Sequence, residues 1–311
     1  MNIDEQEGYN QFLEKQENKK KLCIPVSGGE SSAYMALRLR DEISDDIETC
    51  YPFANTGQER EETLEFVHLL ETRYELPVVW LEAKINPEQN KGTRHAIVNY
   101  ETACRDGKLF DDLCAKYGLP NANFFHCTRE LKESPILSYC RSIGWGKPPE
   151  FIRAIGIRSD ELDRVSPNYK LNGIYYPMAF DWRVTKPHVN KFWAEQESRL
   201  NLRGWEGNCM WCYKKDHRKH ARMIIDNQKI YDVPRELERK YKHIKAKEGQ
   251  SERKMFRQAK GATDKQGLSV DELFEYCANL IPWSVDDSEQ YQSQDDLFSG
   301  CGTDCAPFGS N

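Results

Sequence analysis

The sequence predicts an α/β fold: a doubly wound parallel sheet with helices on its faces, followed by a smaller cysteine-containing helical appendage. Two observations carry this prediction. Through the first 200 residues, short apolar runs alternate with stretches of helical periodicity, and such alternation builds parallel βαβ units. A glycine-serine turn follows the first apolar run directly, where sheets of this kind bind ligands, beyond their strand C-termini.

Each element follows from its residues. Residues 22–26, Leu-Cys-Ile-Pro-Val, read as the first strand. Ser27, Gly28, Gly29, Glu30, Ser31 and Ser32 follow it, and a helix continues over 33–40, offering Tyr34, Leu37 and Leu39 to a core. A strand, then two glycines and three serines, then a helix is a phosphate cradle. Glycine lets backbone N–H groups approach an anion, and the helix N-terminus adds unpaired donors. The spacing is neither Gly-x4-Gly-Lys-Ser/Thr nor Gly-x-Gly-x-x-Gly. Residues 49–54 read as a second strand ending in the turn Asn55-Thr56-Gly57, and 61–74 as a helix with Leu64, Val67, His68 and Leu70 at helical spacing. Residues 77–81 read as a third strand and 151–155 as a fourth, running into a charged turn with Arg158, Asp160, Glu161 and Arg164. Two arginines beside two acids suit a polyphosphate and its metal, or a surface ion-pair cluster. Residues 175–179 form another short apolar run and 185–200 a helix. Trp145, Trp182, Trp193 and Trp205 are expected in the core, and His95 and Arg105 with Asp106 at the surface, substrate contact being the alternative.

Charged residues make up 30% of the 311 and hydrophobic ones 39%, which excludes a disordered chain and fits a soluble domain with a core. No apolar stretch approaches the ~20 residues that span a bilayer. The first 21 residues are polar and charged, unlike a signal peptide, so a cytoplasmic protein is expected. The net charge of −6 conceals an asymmetry: 213–260 holds 16 Lys and Arg against 7 Asp and Glu. That +9 segment reads as a solvated helical face or as a surface for DNA or RNA. Residues 284–300 are acidic and poor in apolar groups, as in a linker.

Eleven cysteines are many for such a chain, and in a reducing compartment they point to buried thiols, metal ligands or redox groups. Cys209 and Cys212 form C-x2-C, and Cys301 and Cys305 form C-x3-C. Two such pairs can close a four-thiolate site for zinc or an iron–sulfur cluster. Cys127 is a fifth candidate, and Lys132, one helical turn on, could depress its pKa or merely face solvent. Cys23, Cys50, Cys104, Cys114, Cys140 and Cys277 sit in apolar or helical settings and read as structural. His217 and His220 follow Cys212 too closely for a C2H2 finger and are assigned to the basic face.

Five motifs occur in order: Ser-Gly-Gly-x-x-Ser at 27–32, Phe-Ala-Asn-Thr-Gly-x-Glu at 53–59 with Thr63-Leu64, Cys-Thr-x-x-Leu-Lys at 127–132, Gly-Ile-Arg-x-Asp-Glu at 156–161 and Gly-Asn-Cys-x-x-Cys at 207–212. Together they resemble the phosphoadenosine phosphosulfate reductase-like family of the PP-loop ATP pyrophosphatases, in the form carried by phages and bacteria, over about residues 21–305. The resemblance implies the nucleotide α-hydrolase fold, Rossmann-like with a parallel sheet, as a nucleotide domain over about 1–200 and an iron–sulfur and basic region over 201–311. It places an adenine nucleotide such as ATP, with Mg²⁺, on Ser27, Gly28, Gly29, Ser31 and Ser32, with Asn55, Thr56, Gly57 and Glu59 lining the same mouth. Arg158, Asp160 and Glu161 would stand opposite, with Cys127 as a further catalytic group. It also implies a [4Fe–4S] cluster on Cys127, Cys209, Cys212 and one of Cys301 and Cys305, zinc being the alternative. Two departures stand out. Ser31 occupies the place of the aspartate usual in Ser-Gly-Gly-x-Asp-Ser, and the tail lacks the Glu-Cys-Gly-Ile-His segment of the sulfonucleotide reductases. The expected activity is adenylylation of an acceptor, nucleic acid by the +9 segment, followed by sulfur transfer. The alternatives are sulfonucleotide reduction and a nucleotide-binding module with a structural metal.

Overall fold

The computed structural model describes residues 21–88, 90–244, 252–261 and 267–284. Its centre is a six-stranded sheet: β1 (Lys21–Cys23), β2 (Glu48–Asn55), β3 (Val78–Lys84), β4 (Arg94–Val98), β5 (Ile152–Ala154) and β6 (Ile174–Tyr175), in the order β4-β3-β2-β1-β5-β6. The chain leaves β1 toward β2 and β3, then returns to its other side for β5 and β6. The switch point therefore lies at β1, whose C-terminal end carries the glycine-serine loop.

One edge departs from the expected all-parallel sheet. β4 pairs antiparallel with β3, Leu81 opposite Ile97. Only 85–93 join the two strands, too short for the crossover a parallel pair needs. The strand escapes sequence reading because it lies on an edge, where Ile97 is 65% exposed and no clean alternation develops.

Both faces of the sheet are covered. α1 (Glu30–Glu42), α2 (Glu61–Thr72) and α6 (Lys186–Ala194) bury Met35, Leu64, Val67, Val189 and Trp193 against Leu22, Tyr51, Phe53 and Trp80. The pleat turns Cys23, Cys50 and Leu81 to the opposite face. There they meet Ile136 and Cys140 of α4 (Ser134–Ser142). A π-helix, Cys127–Glu133, runs directly into α4, and Ser134 donates back to the Arg129 carbonyl to complete it. A short helix, α5 (Pro177–Phe180), occupies the apolar run read at 175–179.

A separate apolar cluster lies beside the sheet. α3 (Lys108–Tyr117) supplies Leu109, Phe110 and Leu113 to it. Trp205, Trp211 and Tyr213 join them, with α7 (His217–Asn227), α8 (Asp232–Tyr241) and α9 (Val270–Ala278). Among the described residues no helix is long and apolar enough to cross a membrane.

Glu238 of α8 ties this cluster together by accepting backbone N–H groups of Val270 (2.8 Å) and Met255 (3.4 Å). Burial nevertheless dominates and pushes its carboxyl up to about 7 from 4.5. Between those values the unfolded chain loses the proton while the folded chain keeps it. Stability should therefore fall as pH rises from about 4.5 and level off above about 7, by at most roughly 3 kcal/mol for this group. Denaturant midpoints from pH 4.5 to 8 should show a shallower decline in Glu238→Gln; an identical slope would remove Glu238 as the cause.

Candidate nucleotide site

The loop after β1 is held from three sides. Inside it, the Ser27 and Ser32 hydroxyls lie 2.8 Å apart, the Ser27 N–H donates to Ser32 Oγ (3.0 Å), and Ser32 Oγ donates to the Gly29 carbonyl (2.9 Å). Gly28 has φ +84°, and a Cβ there would stand 2.5 Å from Thr63 Cγ2 of α2. The turn therefore needs glycine twice over, for its left-handed backbone and for its close approach to α2.

From the β5 side comes Arg158. Its Nη1 donates to Ser31 Oγ at 3.0 Å and its Nε to Asp160 at 3.0 Å, with Glu161 3.4 Å away. Ser31 is thus met by a guanidinium. Glu161 also pairs with Arg164. The third support is Glu30, which forms a bidentate pair with Arg199 (2.8 and 3.0 Å), while its carbonyl accepts from Trp193 Nε1 (3.0 Å).

The β2 turn closes the other wall. Asn55 donates to Glu82 (2.7 Å) and accepts from the Gly57 N–H (3.0 Å), and Thr56 Oγ1 donates to Glu59 (3.0 Å). The segment around Cys209 docks antiparallel on this turn. Met210 N donates to the Gln58 carbonyl, Arg60 N to that of Asn208, and Trp211 Nε1 to the Gln58 side chain (2.6 Å). Asn208 then reaches across to the Ser27 carbonyl (2.9 Å). The Gly-Asn-Cys motif therefore completes the mouth of the 27–32 loop. Sequence reading gave Asn208 no role, although it lies inside a quoted motif.

On this turn, the start of α2 and the docked segment, four buried polar atoms have no hydrogen-bond partner among the described residues: Glu59 Oε2, Arg60 Nε, Thr63 Oγ1 and Asn208 Oδ1. Buried polar atoms are normally paired, and a group of exceptions marks a place where a ligand or water belongs. The residues fit a polar anion with its counter-ion: hydroxyls, a guanidinium and a helix N-terminus on one side, and carboxylates on the other.

The cysteine side meets this mouth at Glu59. Lys132 is buried, with its Nζ 3.5 Å from Glu59, so it does not merely face solvent. Burial pushes the Cys209 thiol up, and the neighbouring Glu59 carboxylate adds to that, while Lys132 opposes it and Cys127 lies close enough to contribute. Cys127 Sγ is 3.6 Å from the Tyr213 hydroxyl. Cys127, Cys209 and Cys212 are not gathered within 4.8 Å of one another, as the thiolates of a single zinc would be. Ligands spread round a multi-iron cluster need no such closeness. Cys301 and Cys305 lie outside the described residues.

Two expectations for the basic segment need correction. His220 is buried, hydrogen-bonded to Tyr231 (2.6 Å), because it lies on the inner side of α7. Lys215 and Lys219 are buried as well, with Lys219 donating to the Gly204 carbonyl. Arg222, Arg235, Arg239, Lys240 and Lys254 pair with carboxylates. The exposed basic surface is consequently smaller than the count of charges implies.

A second group of cysteines reads from sequence as structural thiols. Cys23, Cys50 and Cys140 are all buried, yet their sulfurs lie within 4.8 Å of one another and could hold a metal.

No protein-family model matches the chain. Over 218 residues it is 29% identical to the "Uncharacterized nin region protein ORF290" of Escherichia phage lambda, covering 69% of this chain and 73% of that protein.

Proposed function

We propose that the chain is a PP-loop enzyme of the nucleotide α-hydrolase fold that binds ATP or a related adenine nucleotide on the 27–32 loop and adenylylates an acceptor for sulfur transfer. The four unpartnered buried polar atoms at the mouth are the observation that carries this reading. The switch-point position of the loop and the approach of Arg158 to Ser31 support it.

In this reaction an acceptor oxygen attacks the α-phosphorus and pyrophosphate leaves, giving an acceptor adenylate. A sulfur nucleophile then displaces AMP. The loop N–H groups and serines orient the phosphates, and Arg158 offsets the charge that builds on them. Mg²⁺ would supply further charge neutralisation, with Glu59, Asp160 and Glu161 as the carboxylates at hand. A [4Fe–4S] cluster would be held by Cys127, Cys209 and Cys212 with a tail cysteine, and would supply sulfur chemistry beside the nucleotide.

A nucleic-acid acceptor gains support from the surface next to Cys127. Phe124 and Phe125 are exposed, with the Arg253 guanidinium 4.4 Å from the first ring centroid and Lys214 Nζ 4.4 Å from the second. Aromatic faces among cations suit unpaired bases on a phosphate backbone.

Product analysis tests the reading. With ATP, Mg²⁺ and an RNA or DNA pool, anaerobically prepared protein should release AMP and pyrophosphate. Sulfite released from a sulfonucleotide with a thiol donor would make it a reductase instead. Tight nucleotide binding with neither product would make it a binding module.

A further inference from the structure

The far side of the sheet carries a group of side chains that the nucleotide site does not use. Cys23 and Cys50 are register partners on the parallel pair β1–β2, and Arg153 of β5 is the register partner of Cys23 on its other side. Side chains at one register on adjacent strands point to the same face, so two thiols and a guanidinium lie in a row. Cys140 comes down onto this row from α4, bringing three sulfurs within 4.8 Å. Arg153 is itself fixed by donating from Nη2 to the Asn172 carbonyl (2.7 Å). Around them are Ile136, Trp145, Phe151 and Tyr176, a mostly apolar shell.

We propose that Cys23, Cys50 and Cys140 supply three thiolates to one divalent d¹⁰ cation, zinc in the cell, that pins α4 to the sheet, its fourth position left to a small ligand such as water. Zinc–thiolate bonds of about 2.3 Å put the sulfurs about 3.8 Å apart round a tetrahedral ion, within reach of the observed grouping by side-chain rotation. Binding releases the thiol protons to solvent, leaving three thiolates on a divalent ion with net charge −1. The Arg153 guanidinium lies beside the buried assembly and offsets its charge, and it also attracts the nearby Glu133 carboxyl. Softness excludes magnesium and calcium, which take oxygen ligands. The consequence for the fold is direct. α4 continues the π-helix that presents Lys132 to Glu59, so a metal holding Cys140 fixes that segment against the sheet. This site is separate from the Cys209–Cys212 pair and does not depend on the nucleotide reading.

The test uses the full chain carrying Cys209→Ser, Cys212→Ser, Cys301→Ser and Cys305→Ser, which removes the other paired thiols. Titrated anaerobically with Cd²⁺, a zinc substitute with a thiolate charge-transfer band, this protein should bind one equivalent with an intensity corresponding to three thiolates, and its Tm should rise. Adding Cys140→Ser to the same background should abolish the band and the Tm shift. Should that protein fail to fold by circular dichroism, Cys50→Ser takes its place. No Cd²⁺ bound by the folded four-serine variant, or an undiminished band after loss of Cys140 or Cys50, would overturn the site.

Discussion

Gly28→Val is expected to destabilise the protein by about 2–5 kcal/mol, the sum of a left-handed backbone forced on a β-branched residue and a buried overlap. Gly28 stands at φ +84°, and its Cβ would stand 2.5 Å from Thr63 Cγ2. α2 cannot retreat, since Leu64 and Val67 on either side of that contact are buried in the main core. Gly29 is different. It has φ −100° and ψ 157°, extended backbone open to any residue, at the N-cap of α1. Gly29→Val should therefore cost no more than about 1 kcal/mol of stability while its side chain obstructs approach to the helix N-terminus. Denaturant unfolding and calorimetry with ATP on the two variants separate a structural glycine from a binding one. Equal stability of both, or unchanged ATP affinity in folded Gly29→Val, would contradict the loop's assigned geometry.

Arg158→Ala is expected to weaken nucleotide binding by roughly 30- to 1,000-fold, the usual consequence of deleting one member of a buried charge pair. The arginine is almost fully buried and meets Ser31, Asp160 and Glu161 together. Without it, two carboxylates face an incoming polyphosphate. Arg158→Lys should recover part of the affinity, because it restores the charge without the planar fork. Wild-type affinity in a folded Arg158→Ala protein would place the phosphates elsewhere.

The fold and the mouth of the site were legible to different depths. Strands at 49–54 and 77–81 announce themselves because both faces are covered and their residues are continuously apolar. β4 and α3 do not, since one is an exposed edge and the other buries its apolar side in a satellite cluster. The loops at 27–32, 55–59 and 158–161 converge because all three end neighbouring parallel strands, a consequence of topology readable from the order of elements. The reach of Asn208 to Ser27 is a contact across 181 residues, which no local pattern encodes. The same holds for the three thiols. Cys23 and Cys50 become neighbours only through strand register, and Cys140 joins them through the packing of α4. Burial of Lys219 likewise depends on which side of α7 faces Trp283, and that of Lys215 on the packing of its ammonium against Gly207, whereas charge counting treats every lysine as exposed.

The central claim is that the 27–32 loop binds an adenine nucleotide, and the most direct test is calorimetric titration of ATP with Mg²⁺ into the anaerobically prepared full chain. One nucleotide per chain, with binding lost in Gly29→Val and weakened in Arg158→Ala, is the predicted result. Absence of saturable binding by the wild-type protein to ATP and to sulfonucleotides alike would contradict it.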